Sequence, residues 1–274
     1  MKELFYTVLY EPLFNFLVWL YDVIPGNDLG IAIIILTLLI RLVLFYPSLK
    51  SLRSQKALQE VQPKIEALKK EYADDKEELG RQIMEFYREN KVNPFSSCLP
   101  LLIQLPILWA LFRVFFGGLE TDPETGILVA EQLQYLYEPL RAVYSAIAIE
   151  PTFLGLVDLS ASRNIVLAGL AGLLQYLQAR MMSSKRAAVA TEGSKDENMA
   201  AALNKQMLVM MPILTVVFGY QFPAGVTLYW LSSTAFTWVQ QLIFLREKKK
   251  MNDEDGAEVI EGEAKTVEKK KDNK

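Results

Sequence analysis

The sequence predicts an all-α membrane protein with five transmembrane helices, an N-terminal interfacial amphipathic helix and a cytoplasmic helical hairpin. Three observations lead there. Hydrophobic residues make up 51% of the 274 residues, near the globular norm, but the charged 22% is gathered into a few tracts. Runs such as Leu29 to Ile40 and Leu99 to Phe112 are left with no charge at all. A hydrocarbon core about 30 Å thick takes about 20 apolar helical residues, and five segments reach or approach that length. Lysine and arginine are also concentrated in alternate connections, as the positive-inside rule requires of a multi-pass chain.

The elements follow in order. Residues 1–28 form an apolar helix interrupted by Glu11, Pro12, Asn15 and Asp22. Its Leu13, Phe14, Leu17, Leu20 and Ile24 recur at helical spacing, which suits a helix lying in the outer interface. Spanning is the competing reading, and the short basic region at Lys2 disfavours a cleaved signal. The first core span is 29–49. Residues 50–93 carry ten Lys/Arg and nine Asp/Glu. There Val61, Ile65, Leu68 and Tyr72, then Leu79, Ile83 and Phe86, repeat at helical spacing on either side of Asp74 and Asp75, as in an amphipathic hairpin. Its apolar stripes are narrow, so it is expected to be mobile.

The second span, 94–116, is interrupted by Pro100 and Pro106. Residues 117–162 form an extracytoplasmic loop with Arg141 alone against seven acids. The third span, 163–182, is rich in glycine and alanine, which allow close helix approach. A basic cytoplasmic loop, 183–206, follows. The fourth and fifth spans, 207–245, are joined by the tight turn Phe222 to Gly225, and the shorter fourth draws on residues upstream. Residues 246–274 read as a disordered, charged cytoplasmic tail.

Composition narrows the chemistry. The absence of histidine removes imidazole catalysis and His-ligated metal sites, and the single Cys98 permits no internal disulfide. A net charge of −3 argues against bulk nucleic-acid affinity, so direct DNA binding is not expected. No acid–base pair, activated nucleophile or metal cluster is visible, so the chain does not read as an enzyme, and no cofactor is implied.

Arg41 is the residue that demands an explanation. It lies twelve residues into its span, where an arginine facing lipid costs roughly 2.5 to 3.5 kcal/mol on insertion scales. Snorkelling toward the cytoplasm is one reading; a water-filled cavity is the other. No Asp or Glu lies in any of the five spans to neutralise it. Gln175, Gln178, Ser232, Ser233, Thr234, Thr237, Gln240 and Gln241 share its cytoplasmic half, while Gln104 stands nearer the middle. Any one of these could simply join helices, at about 0.6 kcal/mol apiece. Together they suggest a positive hydrated cavity that attracts acidic polar peptide or an anionic solute.

Five stretches resemble the YidC/Oxa family of membrane protein insertases, over nearly all of residues 11 to 246. They are EPLFNFLVWLYDVIPGNDLGIAIIILTLLIRLVLFYP, LRSQKALQEVQPKIEALKKEY, NPFSSCLPLLIQLPILWALFRVF, QYLQARM and FPAGVTLYWLSSTAFTWVQQLIF. The third is close to the family's NP-x(3)-C-x-P-x(3)-Q-x-P pattern. The resemblance implies five helices around a hydrophilic groove open to the cytoplasm and to lipid but closed outside, in a bacterial plasma membrane with the C-terminus cytoplasmic. It maps a groove arginine to Arg41, a groove glutamine to Gln178 and a groove tryptophan to Trp230. Nascent membrane proteins and the bilayer become the expected partners, with the ribosome, through the basic C-terminal segment, and a Sec translocon as further ones. Two departures stand out: no large extracytoplasmic domain precedes residue 11, and the loop 117–162 is long. A small-solute or anion carrier is the alternative, but the internal repeats usual for carriers are missing.

Overall fold

The computed structural model describes residues 2–90, 92–93, 99–122, 124–182 and 195–246. Cys98, the loop 183–194 and the charged tail beyond Arg246 lie outside the described residues. The chain divides into two units, Met1–Ala235 and Phe236–Lys274. The described residues are mostly helical. In order they form α1 (Lys2–Phe5), α2 (Glu11–Val23), α3 (Leu29–Val43), α4 (Phe45–Glu71), α5 (Lys76–Glu89), α6 (Leu99–Arg113), α7 (Ala130–Leu133), α8 (Glu138–Tyr144), strands β1 (Thr152–Phe153) and β2 (Val157–Asp158), α9 (Ile165–Met182) and α10 (Lys195–Gln221). A final helix, α11, spans 224–246; the described part of the second unit is its last portion, 236–246.

Pro12 does not end the first helix. A π-helical turn, Tyr6–Tyr10, joins α1 to α2, and the Glu11 N–H donates to the Tyr6 carbonyl five residues back. Widening the helix by one residue just before the proline lets the chain pass a position where the normal ladder would break. Residues Glu3–Val23 therefore form one helix of 21 residues, long and apolar enough to cross a membrane.

Asp28 starts α3 as its N-cap, accepting from the Ile31 N–H at 2.8 Å. The segment expected to run straight from 29 to 49 instead breaks at Leu44, and α4 leaves at 67° to α3. Pro47 supplies the reason, because its ring would collide with the carbonyl of Val43 if the helix continued straight. The sequence pattern missed this because Leu44, Phe45 and Tyr46 keep the run apolar through the bend. Asp75 caps α5 through the Glu78 N–H at 3.0 Å, and the four residues 72–75 connect it to α4. None of the residues of α5 is buried.

Residues 119–164 form a folded cap. Arg141 binds carbonyls of the preceding turn, those of Leu133 and Leu136 from Nε at 3.0 Å and that of Gln134 from Nη2 at 3.0 Å. One guanidinium thus satisfies the carbonyls that short α7 leaves open. The cap is fastened to several helices. Tyr144 donates to the Asp22 carboxylate at 3.0 Å, and burial together with that carboxylate raises the phenol well above its ordinary pKa, so it remains a donor. The Phe153 ring lies over Gly30 of α3, where any Cβ would overlap it. The Gly225 and Ala224 N–H groups donate to the carbonyls of Leu159 and Ala161 at 2.9 Å, which fixes the α10–α11 turn beneath the cap.

The core gathers where these elements meet: Phe14 and Leu17 of α2, Leu29 and Ile33 of α3, Leu111 of α6 and Val114 just after it, and Leu136 and Leu159 of the cap are all fully buried. Small residues close the remaining gap. Gly172 of α9 sits against Val216 and the Pro212 carbonyl of α10, and Gly219 lies against Ala168. Helices in lipid gain little from hydrophobic exclusion and rely on such close packing. Outward, Leu102 and Trp109 on α6, Leu170 and Leu173 on α9, and Ile213 and Val217 on α10 remain exposed.

Candidate functional site

Three helices bring polar side chains to one place. Arg41, in the last turn of α3, donates from Nε to the Ser233 hydroxyl of α11 at 3.0 Å, and its Nη2 donates to the same oxygen. Ser233 is buried, and it also lies within hydrogen-bonding reach of the Tyr229 hydroxyl. Gln104 of α6 donates from Nε2 to that hydroxyl in turn. A chain of polar contacts thus runs from α3 through α11 to α6 between side chains 192 and 125 positions apart in sequence.

The local reasons are simple. Tyr229 and Ser233 are four residues apart, so one helical face presents both. Arg41 sits in the last turn of α3, just before the break at Leu44 where the chain changes direction. Gln104 precedes Pro106 by two residues, inside a helix whose ladder the proline interrupts. Arg41 is partnered by a neutral hydroxyl, so the pairing orients the guanidinium without cancelling its charge.

Of the residues singled out in the sequence, the structure brings Arg41, Gln104 and Ser233 together. Trp230 is half-buried next to Tyr229 on α11. Gln175 and Gln178 are half-buried on α9, which packs on α10. Thr237 follows Ser233 by one turn of the same helix and belongs to the second unit. Tyr229 went unnoticed in the sequence, although its spacing to Ser233 was the available signal; a tyrosine in an apolar run reads as bulk until a partner appears. Asn15, which interrupts the apolar pattern of its helix, is a buried clamp. Its amide donates to the Tyr135 carbonyl at 2.8 Å, and its side-chain oxygen accepts the Tyr137 N–H at 2.6 Å.

Arg113, the last residue of α6, donates to the Tyr6 hydroxyl at 2.7 Å in an exposed contact. Among the described residues, no group of three or more His, Cys, Asp or Glu side chains comes together to hold a metal. What the cluster offers is one fixed positive charge with hydroxyl and amide groups around it, set in apolar helices. A charge so placed can attract and solvate polar, acidic groups.

The family described as 60Kd inner membrane protein matches residues 19–252. A membrane protein insertase YidC of Fusobacterium nucleatum is 34% identical over 244 residues, covering 88% of this chain and 98% of that relative. The protein of the same name from Clostridium perfringens is 32% identical over 253 residues, covering 91% of this chain and 93% of the relative. One from Alkalilimnicola ehrlichii is 32% identical over 272 residues, and there the chain spans 40% of a longer relative.

Proposed function

This chain belongs to the 60Kd inner membrane protein (YidC/Oxa) family of membrane protein insertases, and from that premise we propose how it inserts nascent membrane proteins into the bilayer. The single observation that carries the proposal is the cluster of Arg41, Ser233, Tyr229 and Gln104. In this reading α3, α6, α9, α10 and α11 are the five spans, and the cluster lines a groove open to the cytoplasm. Gln175, Gln178 and Trp230 extend its walls.

Moving a peptide's polar tail across dry hydrocarbon costs several kcal/mol for each backbone group left without a hydrogen-bond partner. A hydrated groove shortens the dry distance. Arg41 draws an acidic tail in, the hydroxyls and amides replace part of its hydration, and the adjoining apolar segment slides along the exposed leucine and aromatic side chains into lipid. The helical hairpin α4–α5, whose second helix buries nothing, is suited to capturing the substrate on the cytoplasmic side. The basic segment from Arg246 to Lys250, at the start of the charged tail, is suited to the ribosome's acidic surface, and a Sec translocon is a candidate neighbour. The polar contacts that Asn15 and Asp22 make with the cap favour placing α2 in the outer interface, since both then lie at the water boundary.

The test is reconstitution of the purified protein in liposomes with a single-span substrate bearing an acidic tail, and no other protein. Insertion at a rate well above protein-free liposomes is expected, with no efflux of trapped chloride or phosphate. Anion efflux without insertion would replace this reading with that of a carrier.

A further inference from the structure

We propose that the tip of the β1–β2 hairpin, Leu154 and Leu156, dips into the lipid leaflet at this end of the helices and anchors the cap to the membrane. The turn itself is the first observation. Leu154 and Gly155 have φ of 52° and 65°, and the Leu156 N–H closes the turn on the Phe153 carbonyl at 3.0 Å. Leu154 and Gly155 are the central pair of this β-turn, inside the three-residue connection between the paired Phe153 and Val157, and positive φ at both favours Asn-Gly, because a branched apolar side chain gains nothing there and crowds its own backbone. Here the sequence has Leu-Gly.

Exposure is the second. Leu154 is 59% exposed and Leu156 is 86% exposed, so two large apolar side chains stand free of the protein's own core. The five residues Phe153 to Val157 carry no charge. An unfavourable backbone and bare apolar surface at one spot have no compensation inside the molecule, and lipid supplies one.

Placement decides the occupant. The Leu154 N–H donates to Asp28 Oδ2 at 2.5 Å, and Asp28 caps the start of α3. Phe153, the inward member of the hairpin, rests on Gly30, so the two leucines project from the opposite side, level with the first turn of α3. Val23 at the end of α2, five residues before Asp28, and Ile165 and Val166 at the start of α9, after the segment that follows β2, are exposed apolar residues as well. Two neighbouring carboxylates are held by N–H groups: Asp28 as described, and Asp158 by those of Ser160 and Ala161. The tip thus offers an uncharged apolar wedge at the depth where a span meets the headgroups.

The proposal rests on α3 being embedded, and the experiment separates the two. Single cysteines at Leu156, at Thr125 on the same cap and at Leu38 on α3 are placed in a Cys98→Ser background and labelled with an environment-sensitive nitrobenzoxadiazole dye. The protein is reconstituted in phosphatidylcholine vesicles carrying a nitroxide at acyl carbon 5 in both leaflets. The expected result is several-fold stronger lipid quenching at 156 than at 125, with weak quenching by iodide at 156. If 156 matches 125 while 38 is quenched by lipid, the tip is in water and the proposal is overturned. If 38 escapes lipid quenching, the embedding fails and the proposal falls with it. Leu156 packs against nothing, so its replacement leaves the fold intact.

Discussion

Asn15, in the middle of α2, is bound on both sides to the backbone of the cap: it donates to the Tyr135 carbonyl at 2.8 Å and accepts the Tyr137 N–H at 2.6 Å. The two groups it satisfies flank Leu136, which is itself fully buried. Asn15→Leu should therefore strand a partly buried donor and a partly buried acceptor, at about 1 kcal/mol each. The expected outcome is a fall in melting temperature in detergent and faster proteolysis near residues 130–145. A stability equal to wild type would show that water replaces the clamp.

Arg41 separates charge from geometry. Arg41→Lys keeps the positive charge but loses the planar fork that meets Ser233 through two nitrogens, whereas Arg41→Ala removes both. Lysine should retain most insertion activity and alanine should lose it, most severely for substrates with acidic tails. The assay is insertion into liposomes at matched protein levels. Full activity of Arg41→Ala on an acidic-tailed substrate would end the groove mechanism.

The hairpin has a boundary within it. Ser51 and Leu52, near the start of α4, are buried, but beyond Ile65 no residue as far as Glu89 is. Replacing residues 68–90 with a short flexible linker should leave the detergent melting temperature within about 2 °C of wild type while slowing insertion, because little packing is lost. Leu52→Ala should lower the melting temperature. Equal losses from both changes would make the hairpin a structural element.

Two glycines make opposite predictions. A side chain at Gly172 would collide with Val216 and approach the Pro212 carbonyl at 3.1 Å, so Gly172→Val should destabilise the α9–α10 pair by about 1 to 3 kcal/mol. Nothing lies within 4 Å of a Cβ built at Gly80, in the exposed helix α5. Gly80→Ala should stabilise by about 0.4 to 1 kcal/mol. Thermal melts of the two variants read both signs directly.

Orientation has its own test. With Cys98→Ser as background, cysteines at Lys76 and Thr125 exposed to an impermeant maleimide on intact cells should react only at Thr125. Labelling at Lys76 would reverse the topology drawn from the lysine and arginine asymmetry.

The sequence by itself determined the class of this protein. Whether a charge is tolerable in hydrocarbon depends on the residue and its depth, and both are readable along one chain; Arg41 was conspicuous for that reason. The apolar runs and family motifs carried the rest, since each is a local pattern. Tertiary structure decided which helices face one another. Nothing local links Arg41 to Ser233, 192 positions away, or Asn15 to Tyr135, 120 positions away. Asn15 and Tyr229 looked like an interruption and a bulky core residue because a polar group's role depends on the partner that meets it, and that partner is set by packing. The bend at Leu44 was hidden for a related reason: hydropathy continues smoothly through it, while the cause, the ring of Pro47 against the preceding turn, is steric.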